Sequence, residues 1–456
     1  MSARVEADLL GPVEVPAEAL FGAQTQRAIG NFPAGHQRTI GSFPRLVRAL
    51  LLVKKAAART NGQIGCLPEI AARTVERAAD RLLEAIPAGQ FPVHYLHGGG
   101  GTSANMNVNE VLANVSEELL GGRPGEYRQF HPNDHINLNQ STNDVYPTAC
   151  HMAVIFQWQG LRAALDALAE ALDGVTRRWG GGPWLARTCL QDAVDIRLGD
   201  YFGGLVSQVR RLRERLDSAV DRLHIVNLGG TICGRDEDAP VAYRERIVAN
   251  LADVTGDDSY RQAGDLFDAA QNADELLAVS AALDILARSL VKIAGDFRLL
   301  GSGPEAGLGE LHLPGVQPGS SVMPGKVNPV IPEFVMQVAF RVMGNHAMCA
   351  AGLDHGELDL NVWESSMTFA VLESMELLES GLTAFTDKCV AGLQPNAVVN
   401  AAHVQSLLPR LTRLARRYGY QRVTEVCQRA PSDPQALRAL LDKAFPEEPP
   451  DREALA

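Results

Sequence analysis

Residues 151–180 read HMAVIFQWQGLRAALDALAEALDGVTRRWG and contain the clearest structural pattern of the chain. Large apolar residues recur there at steps of three or four: Ile155, Trp158, Leu161, Leu165, Leu168, Leu172, Val175 and Trp179. This spacing puts them on one face of an α-helix, with charged residues on the other side. The pattern therefore predicts a long helix packed in a bundle, and its charged side argues against a membrane helix.

Four further segments show helical patterns. The same apolar spacing is clear in residues 202–223 and 274–300, and helical runs are also predicted from Pro332 to about residue 352 and over 362–392. Five long segments of this kind favour a mainly α-helical fold built on a helix bundle.

The composition is typical of a folded, mainly helical protein with an acidic net charge. The chain has 456 residues, 42 basic and 54 acidic side chains, a net charge of −12, 46% hydrophobic residues and 6% aromatic residues. The apolar content excludes wholesale disorder, and few aromatics favour helices over a β-sandwich. The acidic balance argues against a nucleic-acid partner or a basic membrane-surface protein.

Length and segment character predict three domains. We expect an N-terminal domain at residues 1–140, a central helix-bundle domain at 141–394 and a short divergent C-terminal domain at 395–456. The first twenty residues contain four acidic side chains and no continuous apolar run, which is not the pattern of a signal peptide. Seven cysteines without a C-x-x-C motif fit a reduced, cytoplasmic protein with neither a disulfide framework nor a zinc ribbon.

Three polar segments interrupt the helical patterns. Residues 98–114, GGGGTSANMNVNEVLAN, place a glycine run before a helix start. This pattern predicts either an anion-binding site or a flexible loop with a helix cap. Residues 131–144, HPNDHINLNQSTND, match no standard zinc spacing, so no metal is predicted; they form either a donor cluster for a carboxylate or a capped loop. Residues 319–329, GSSVMPGKVNP, cannot form a regular helix and bring serine and lysine into one loop.

Together these segments resemble the fumarase/aspartase superfamily. Residues 319–329 closely resemble its signature loop, and the resemblance extends over about residues 5–395, including GAQTQR at 22–27. Several stretches are more similar to aspartate ammonia-lyases than to fumarases: residues 101–107, 140–144, 307–314, 316–321 and 328–333.

The resemblance implies a homotetramer whose central domains form a twenty-helix bundle, with each active site assembled from three subunits. It implies elimination from a small dicarboxylate, a reaction whose chemistry requires no cofactor. Spacing and composition predict no metal and no nucleic-acid or membrane partner. Abstraction of a C–H proton beside a carboxylate gives a doubly negative aci-carboxylate, which requires dense hydrogen-bond donors.

The resemblance also assigns roles to residues. Ser320 matches the catalytic base, Glu333 matches a supporting acid, and Cys189 occupies a catalytic position. The substrate-binding residues are Thr102, Ser103, Ser141, Thr142, Asn143, Thr188, Ser321, Lys326 and Asn328. A second, non-catalytic anion site matches Arg128, His131, Asn133 and Asp134, for which capping and interface hydrogen bonds remain an equal alternative.

The sequence departs from the family at Cys189, within the segment RTCLQDAV at 187–194. Fumarases have histidine there, and other members have histidine or glutamine. A neutral thiol removes the imidazole that would pair with Glu333 in a fumarase-type proton relay, and leaves space for a larger amine. Tolerance of cysteine without functional change is equally open.

Other departures are Asp195 in place of a usual proline and a C-terminal segment, residues 401–420, that barely resembles the family. The leading hypothesis is a C–N lyase that forms fumarate from aspartate or an aspartate-like dicarboxylate. The alternatives are a fumarate hydratase and a non-catalytic paralogue, and the latter is disfavoured because the donor and base residues are intact.

Overall fold

The computed structural model describes residues 2–235, 237–430 and 432–446, so the end of the predicted C-terminal domain, from residue 447, lies outside the described residues. The fold is mainly α-helical, as predicted. The α-helices are α1 Ala23–Asn31, α2 Pro44–Gln63, α3 Glu69–Glu84, α4 Thr102–Leu119, α5 Thr142–Trp179, α6 Leu198–Asp221, α7 Val241–Thr255, α8 Leu266–Gln271, α9 Asp274–Leu300, α10 Val330–Asp354, α11 Glu364–Phe385, α12 Ala397–His403, α13 Leu407–Tyr418, α14 Tyr420–Cys427 and α15 Pro434–Ala444.

Short strands accompany the helices in two-stranded pairs. The strands are β1 Ala3–Asp8, β2 Gly11–Pro16, β3 Pro183–Thr188, β4 Gln191–Arg197, β5 Ile225–Val226, β6 Arg261–Gln262, β7 Leu311–His312 and β8 Gln394–Pro395. Strands β1–β2, β3–β4 and β7–β8 pair antiparallel, and β5–β6 pair parallel. Among the described residues, no helix is both long and apolar enough to cross a membrane.

The five predicted long helices are α5, α6, α9, α10 and α11, and α5 begins nine residues before the predicted start at 151. Its first turns are polar and contain Pro147. Proline has no N–H for the carbonyl four residues earlier, that of Asn143. The Asn227 side chain donates to this carbonyl at 2.9 Å. The helix therefore continues through Pro147, whereas the apolar pattern predicted a start after this proline.

The chain divides into two compact units. Unit 1 comprises Met1–Asp166, Arg211–Val291 and Val335–Leu382. Within it, α2 packs against α3 and α7. The apolar residues Leu46, Leu50 and Val53 of α2 are fully buried.

Unit 2 comprises Ala167–Arg210, Lys292–Phe334 and Thr383–Ala456. In this unit the hairpin β3–β4 packs against α12 and α13. Helices α13 to α15 enclose a small apolar core of their own, formed by Leu414, Val423, Val426, Leu437, Leu441 and Phe445.

Candidate active site

The glycine run before α4 exposes the start of that helix. Gly101 has φ +91°, and a Cβ there would lie 2.4 Å from the ring of Tyr146, so only glycine fits. Thr102 is exposed and opens the helix, with Ser103 half-buried behind it. N–H groups in a first helical turn have no partner within the helix, which makes such a terminus suited to an anion.

The start of α5 is a second cluster of neutral donors. The Ser141 Oγ accepts a hydrogen bond from the Asn143 backbone N–H at 3.2 Å. A hydroxyl oxygen that accepts one hydrogen bond still has its own proton to donate. Ser141, Thr142 and Asn143 are half-buried, so they remain accessible to a ligand.

These two helix starts lie side by side in unit 1. The Asn105 side chain, one turn into α4, donates to the Thr142 Oγ1 at 3.0 Å. The structure therefore places the start of α4, which carries Thr102 and Ser103, beside the Ser141–Asn143 cluster, although the two segments are about forty residues apart in sequence. Neighbouring helix N-termini and hydroxyls are an arrangement that favours a carboxylate.

Sequence reasoning missed Asp144, whose carboxylate holds the backbone of this cluster against the segment that follows β5. Its buried carboxylate accepts backbone hydrogen bonds from Ser141 at 3.0 Å and from Gly229 and Thr231 at 2.9 and 3.2 Å. Burial raises the pKa of Asp144 to about 6, against the opposing effect of these N–H donors.

The segment 227–234, which follows β5, was also missed. The Asn143 side chain donates to the Ile232 carbonyl at 2.8 Å, so this segment borders the predicted site. Its available sequence signal was the glycine pair at 229–230.

In unit 2, the hairpin β3–β4 presents Thr188 and Cys189. Thr188 pairs with Gln191, and Cys189 and Leu190 form the two-residue turn between them. Both turn residues have positive φ, +53° and +62°, as a tight hairpin turn requires. Thr188 and Cys189 are exposed, so the thiol lies at the accessible end of the hairpin.

A buried ion pair holds Arg187, the residue directly before Thr188, near the turn of this hairpin. Arg187 donates from both terminal nitrogens to the Glu310 carboxylate, at 2.9 and 2.5 Å. The His403 Nδ1 lies 2.5 Å from the same carboxylate, whose side chain is fully buried. Two-pronged arginine pairing restricts orientation as well as distance.

The loop 319–329 surrounds the hydroxyl of Ser320 with backbone donors. The Ser320 Oγ accepts hydrogen bonds from the backbone N–H groups of Val322 at 3.1 Å and Met323 at 2.8 Å. Donors aimed at an oxygen favour its anionic form. The loop thus supplies the kind of stabilisation that a serine base requires.

The same loop closes through its two ends. The Gly319 N–H donates to the Lys326 carbonyl at 2.7 Å, and the Asn328 side chain donates to the Gly319 carbonyl at 2.8 Å. A Cβ at Gly319 would lie 2.7 Å from the Asn328 backbone nitrogen. The side chains of Ser321 and Lys326 remain exposed.

Glu333 lies in the first turn of α10, and its carboxylate is 3.3 Å from the guanidinium of Arg298. Its partner within this chain is a permanent cation. The site residues predicted in unit 2 are thus Thr188, Cys189, Ser320, Ser321, Lys326, Asn328 and Glu333.

The predicted second anion site has a capping geometry. The His131 Nδ1 accepts from the backbone N–H groups of Asn133 and Asp134, both at 3.3 Å. Arg128 is exposed and pairs with Glu126 at 3.3 Å. The described residues contain no group of three or more His, Cys, Asp or Glu side chains placed to hold a metal ion.

Similar proteins cover nearly the whole chain. It is 40% identical to a class II fumarate hydratase from Ralstonia nicotianae, over 96% of this chain and 94% of that protein. It is also 40% identical to an aspartate ammonia-lyase from Pseudomonas aeruginosa, over 94% of this chain and 90% of that protein.

Solved structures agree with the sequence relatives. A fumarate lyase:delta crystallin from Brucella melitensis bound to cobalt superposes with a TM-score of 0.91 at 38% identity, covering 98% of this chain and 100% of that one. A class II fumarase from Schistosoma mansoni gives a TM-score of 0.92 at 31% identity, with the same coverage. Because a family model described as lyase also matches residues 11–344, this chain belongs to the lyase family of the fumarase/aspartase superfamily.

Proposed function

We propose that this protein is a C–N lyase that eliminates ammonia or a substituted amine from aspartate, or from an aspartate-like dicarboxylate, to give fumarate. Membership of the family establishes a lyase, and the relatives include both fumarate hydratases and aspartate ammonia-lyases. The proposal therefore concerns the leaving group. The observation that carries it is the thiol of Cys189 at the exposed end of the hairpin β3–β4.

The two leaving groups differ in their need for an acid. A hydroxyl departs as hydroxide unless an acid protonates it, and histidine is the side chain best suited to that task near neutral pH. An ammonium group already carries its proton and departs as a neutral amine. Cys189 supplies no imidazole, and Glu333 is paired with Arg298, so the arrangement favours amine departure over water departure.

Ser320 would act as the base. With the Val322 and Met323 N–H groups stabilising its alkoxide, Ser320 takes the proton from the carbon beside the substrate carboxylate. The electron pair of the broken C–H bond moves into that carboxylate and forms the aci-carboxylate. The pair then returns to form the C=C bond of fumarate as the C–N bond breaks, and the amine departs with its electron pair. Ser320 finally returns its proton to solvent.

The donors for the aci-carboxylate would be Thr102, Ser141 and Thr142. They lie at two neighbouring helix starts, and Thr142 is held by the Asn105 side chain before the charge develops. Preorganised donors need no rearrangement during the reaction, which is the main source of their catalytic effect.

The remaining predicted residues would bind the rest of the substrate. Lys326, Asn328 and Thr188 would hold the second carboxylate, and Asn143 would lie at the amine end. Ser103 and Ser321, each adjacent to a residue with a direct role, would add hydroxyl donors.

We also propose that the chain forms a homotetramer whose active sites each draw residues from three subunits. An apolar stripe on α10 supports this: Phe340 is 54% exposed and Met348 is 37% exposed, with Gly344 and Ala351 exposed between and beyond them. An exposed apolar helix face of this kind is typical of a subunit interface.

The test follows fumarate formation from L-aspartate, from N-substituted aspartates and from L-malate. We expect turnover of at least one amine and little turnover of malate. Ser320→Ala should lower kcat by about 10²–10⁴-fold, the usual contribution of a general base. Ser207→Ala, at an exposed serine of α6, is the matched control and should be unchanged. Absence of turnover with every amine would refute the proposal.

A fumarate hydratase is the second candidate, favoured by the class II fumarate hydratases among the relatives. Malate turnover that exceeds amine turnover would establish it. On the proposed mechanism, Cys189→His should raise malate dehydration by restoring a proton donor for the hydroxyl, while Cys189→Ala should not. A protein that turns over neither class of substrate would be the non-catalytic paralogue.

A further inference from the structure

We propose that Lys54 is a positioning residue for this reaction: it fixes the direction of the Thr142 hydroxyl through Asn137 and Asn105, and its positive charge strengthens carboxylate binding at the start of α5. This inference rests on the proposed function of the same site, and nothing in the sequence pattern pointed to Lys54.

Lys54 lies in the middle of α2 and has no exposed surface. Its Nζ donates to the Asn137 Oδ1 and to the Gln140 Oε1, both at 2.9 Å. Fully buried lysines are rare because removing an ammonium from water is costly. Both acceptors lie just before Ser141, so the buried charge is tied to the segment that leads into the predicted site.

A chain of amides connects this lysine to Thr142. The Asn137 Oδ1 also accepts from the side chains of Asn109 at 3.1 Å and Asn105 at 3.2 Å. Asn105 in turn donates to the Thr142 Oγ1 at 3.0 Å. Because that oxygen accepts from Asn105, the Thr142 proton is available for a further acceptor, as a substrate carboxylate would be.

The charge of Lys54 responds to its surroundings. Burial lowers the pKa of Lys54 to about 7, and the Asp144 carboxylate of α5 opposes this effect. From α7, Tyr243 lies beside Asp144, and burial raises the pKa of Tyr243 well above its usual value, so Tyr243 is neutral. The amides of Asn105 and Asn109 on α4 are uncharged.

A bound dicarboxylate would therefore draw a proton onto Lys54. Negative charge near Thr142 favours the protonated lysine, and by linkage the protonated lysine favours the bound anion. A lysine that only fills space would show no such coupling.

The first experiment measures proton uptake when fumarate binds to the full-length protein. Titration calorimetry near pH 7.5, in two buffers with different ionisation enthalpies, should give net uptake for the wild type. Lys54→Met should abolish this uptake and weaken fumarate binding about 10-fold. Lys55→Met is the matched control, because Lys55 is the next residue of α2 and pairs with Asp80 at 2.5 Å. This control should retain both uptake and affinity.

The second experiment measures kinetics. Lys54→Met should lower kcat by about 10–100-fold, as loss of a supporting hydrogen-bond partner does. The change in KM should be smaller than the change in kcat, because the Thr142 donor acts most strongly on the aci-carboxylate.

The outcomes separate this inference from the proposed reaction. Wild-type fumarate binding without proton uptake would overturn the role of Lys54, and that measurement needs no variant to fold. Equal kcat for Lys54→Met and Lys55→Met would overturn it too. Malate turnover in place of amine turnover would refute the proposed leaving group and leave the role of Lys54 standing. Failure of the wild type to bind fumarate would overturn both.

Discussion

The carboxylate of Glu310 ties the β3–β4 hairpin to the C-terminal helices. It accepts hydrogen bonds from both terminal nitrogens of Arg187 and lies 2.5 Å from the His403 Nδ1. The Glu310 backbone carbonyl accepts from the backbone of Asn396 at 2.8 Å and from the side chain of Asn400 at 3.1 Å. We predict that Glu310→Gln destabilises unit 2 and lowers activity.

The magnitude follows from burial. The Glu310 side chain has no exposed surface, and that of Arg187 is 16% exposed. Removing one partner of such a pair leaves a buried charge uncompensated, which costs about 3–5 kcal/mol. Glutamine keeps one carbonyl acceptor for the guanidinium, so the loss should be near the lower end, about 3 kcal/mol.

The assay compares urea unfolding of the wild type, Glu310→Gln, Arg187→Met and the double variant Arg187→Met/Glu310→Gln. Each single variant should lose stability, and the double variant should lose less than the two single changes summed, because it removes both charges. A double variant whose loss equals that sum would refute the reasoning. Glu305→Gln, at an exposed carboxylate of the same unit, is the control.

Three further predictions follow. Phe340→Glu should dissociate the oligomer, measured by light scattering; an unchanged mass would contradict the proposed interface. Gly101→Ala should abolish activity, because the added Cβ would lie against the Tyr146 ring. Gly99→Ala has open space around its Cβ and should lower the free energy of unfolding by only about 1–3 kcal/mol through backbone strain. Burial raises the pKa of Glu364 to about 8 from 4.5, so wild-type stability should fall by about 2–4 kcal/mol as pH rises from about 5 to 8. Glu364→Gln should lack that fall in urea unfolding, and an identical pH profile would contradict it.

The long helices were predictable because their apolar spacing is local and repeats over many turns. The start of α5 was not, since its first residues are polar and its proline is compensated by Asn227, 84 residues away from the carbonyl that it serves. The hairpin β3–β4 gave no alternating pattern strong enough to predict it. Its strands are held by the Arg187 pair and by packing on α12 and α13.

For the candidate site, the sequence shows hydroxyl and amide side chains clustered in short segments, and their roles stay predictions. What the sequence could not give is which donor is held by which neighbour. Lys54 and Asn137 are 83 residues apart, and Asp144 and Gly229 are 85 apart. No periodicity encodes such pairs, and a buried lysine in a helix has the same sequence appearance as an exposed one.

Three features that depart from the family resemblance, Cys189, Asp195 and the segment 401–420, lie on the hairpin β3–β4 or contact it. Asp195 on β4 pairs with Arg413 of α13 at 3.0 Å. Arg187 on β3 and His403 of α12 both contact the Glu310 carboxylate. The divergent C-terminal segment thus contacts the hairpin that carries Cys189. On the proposed function, these ion pairs hold the strands on both sides of the turn, so a substitution at Cys189 would change the chemistry at the turn while the ion pairs remain. On the proposed function, the choice of leaving group would depend on the hairpin and the C-terminal helices together: residue 189 would set the chemistry, and the ion pairs would hold the hairpin that carries it.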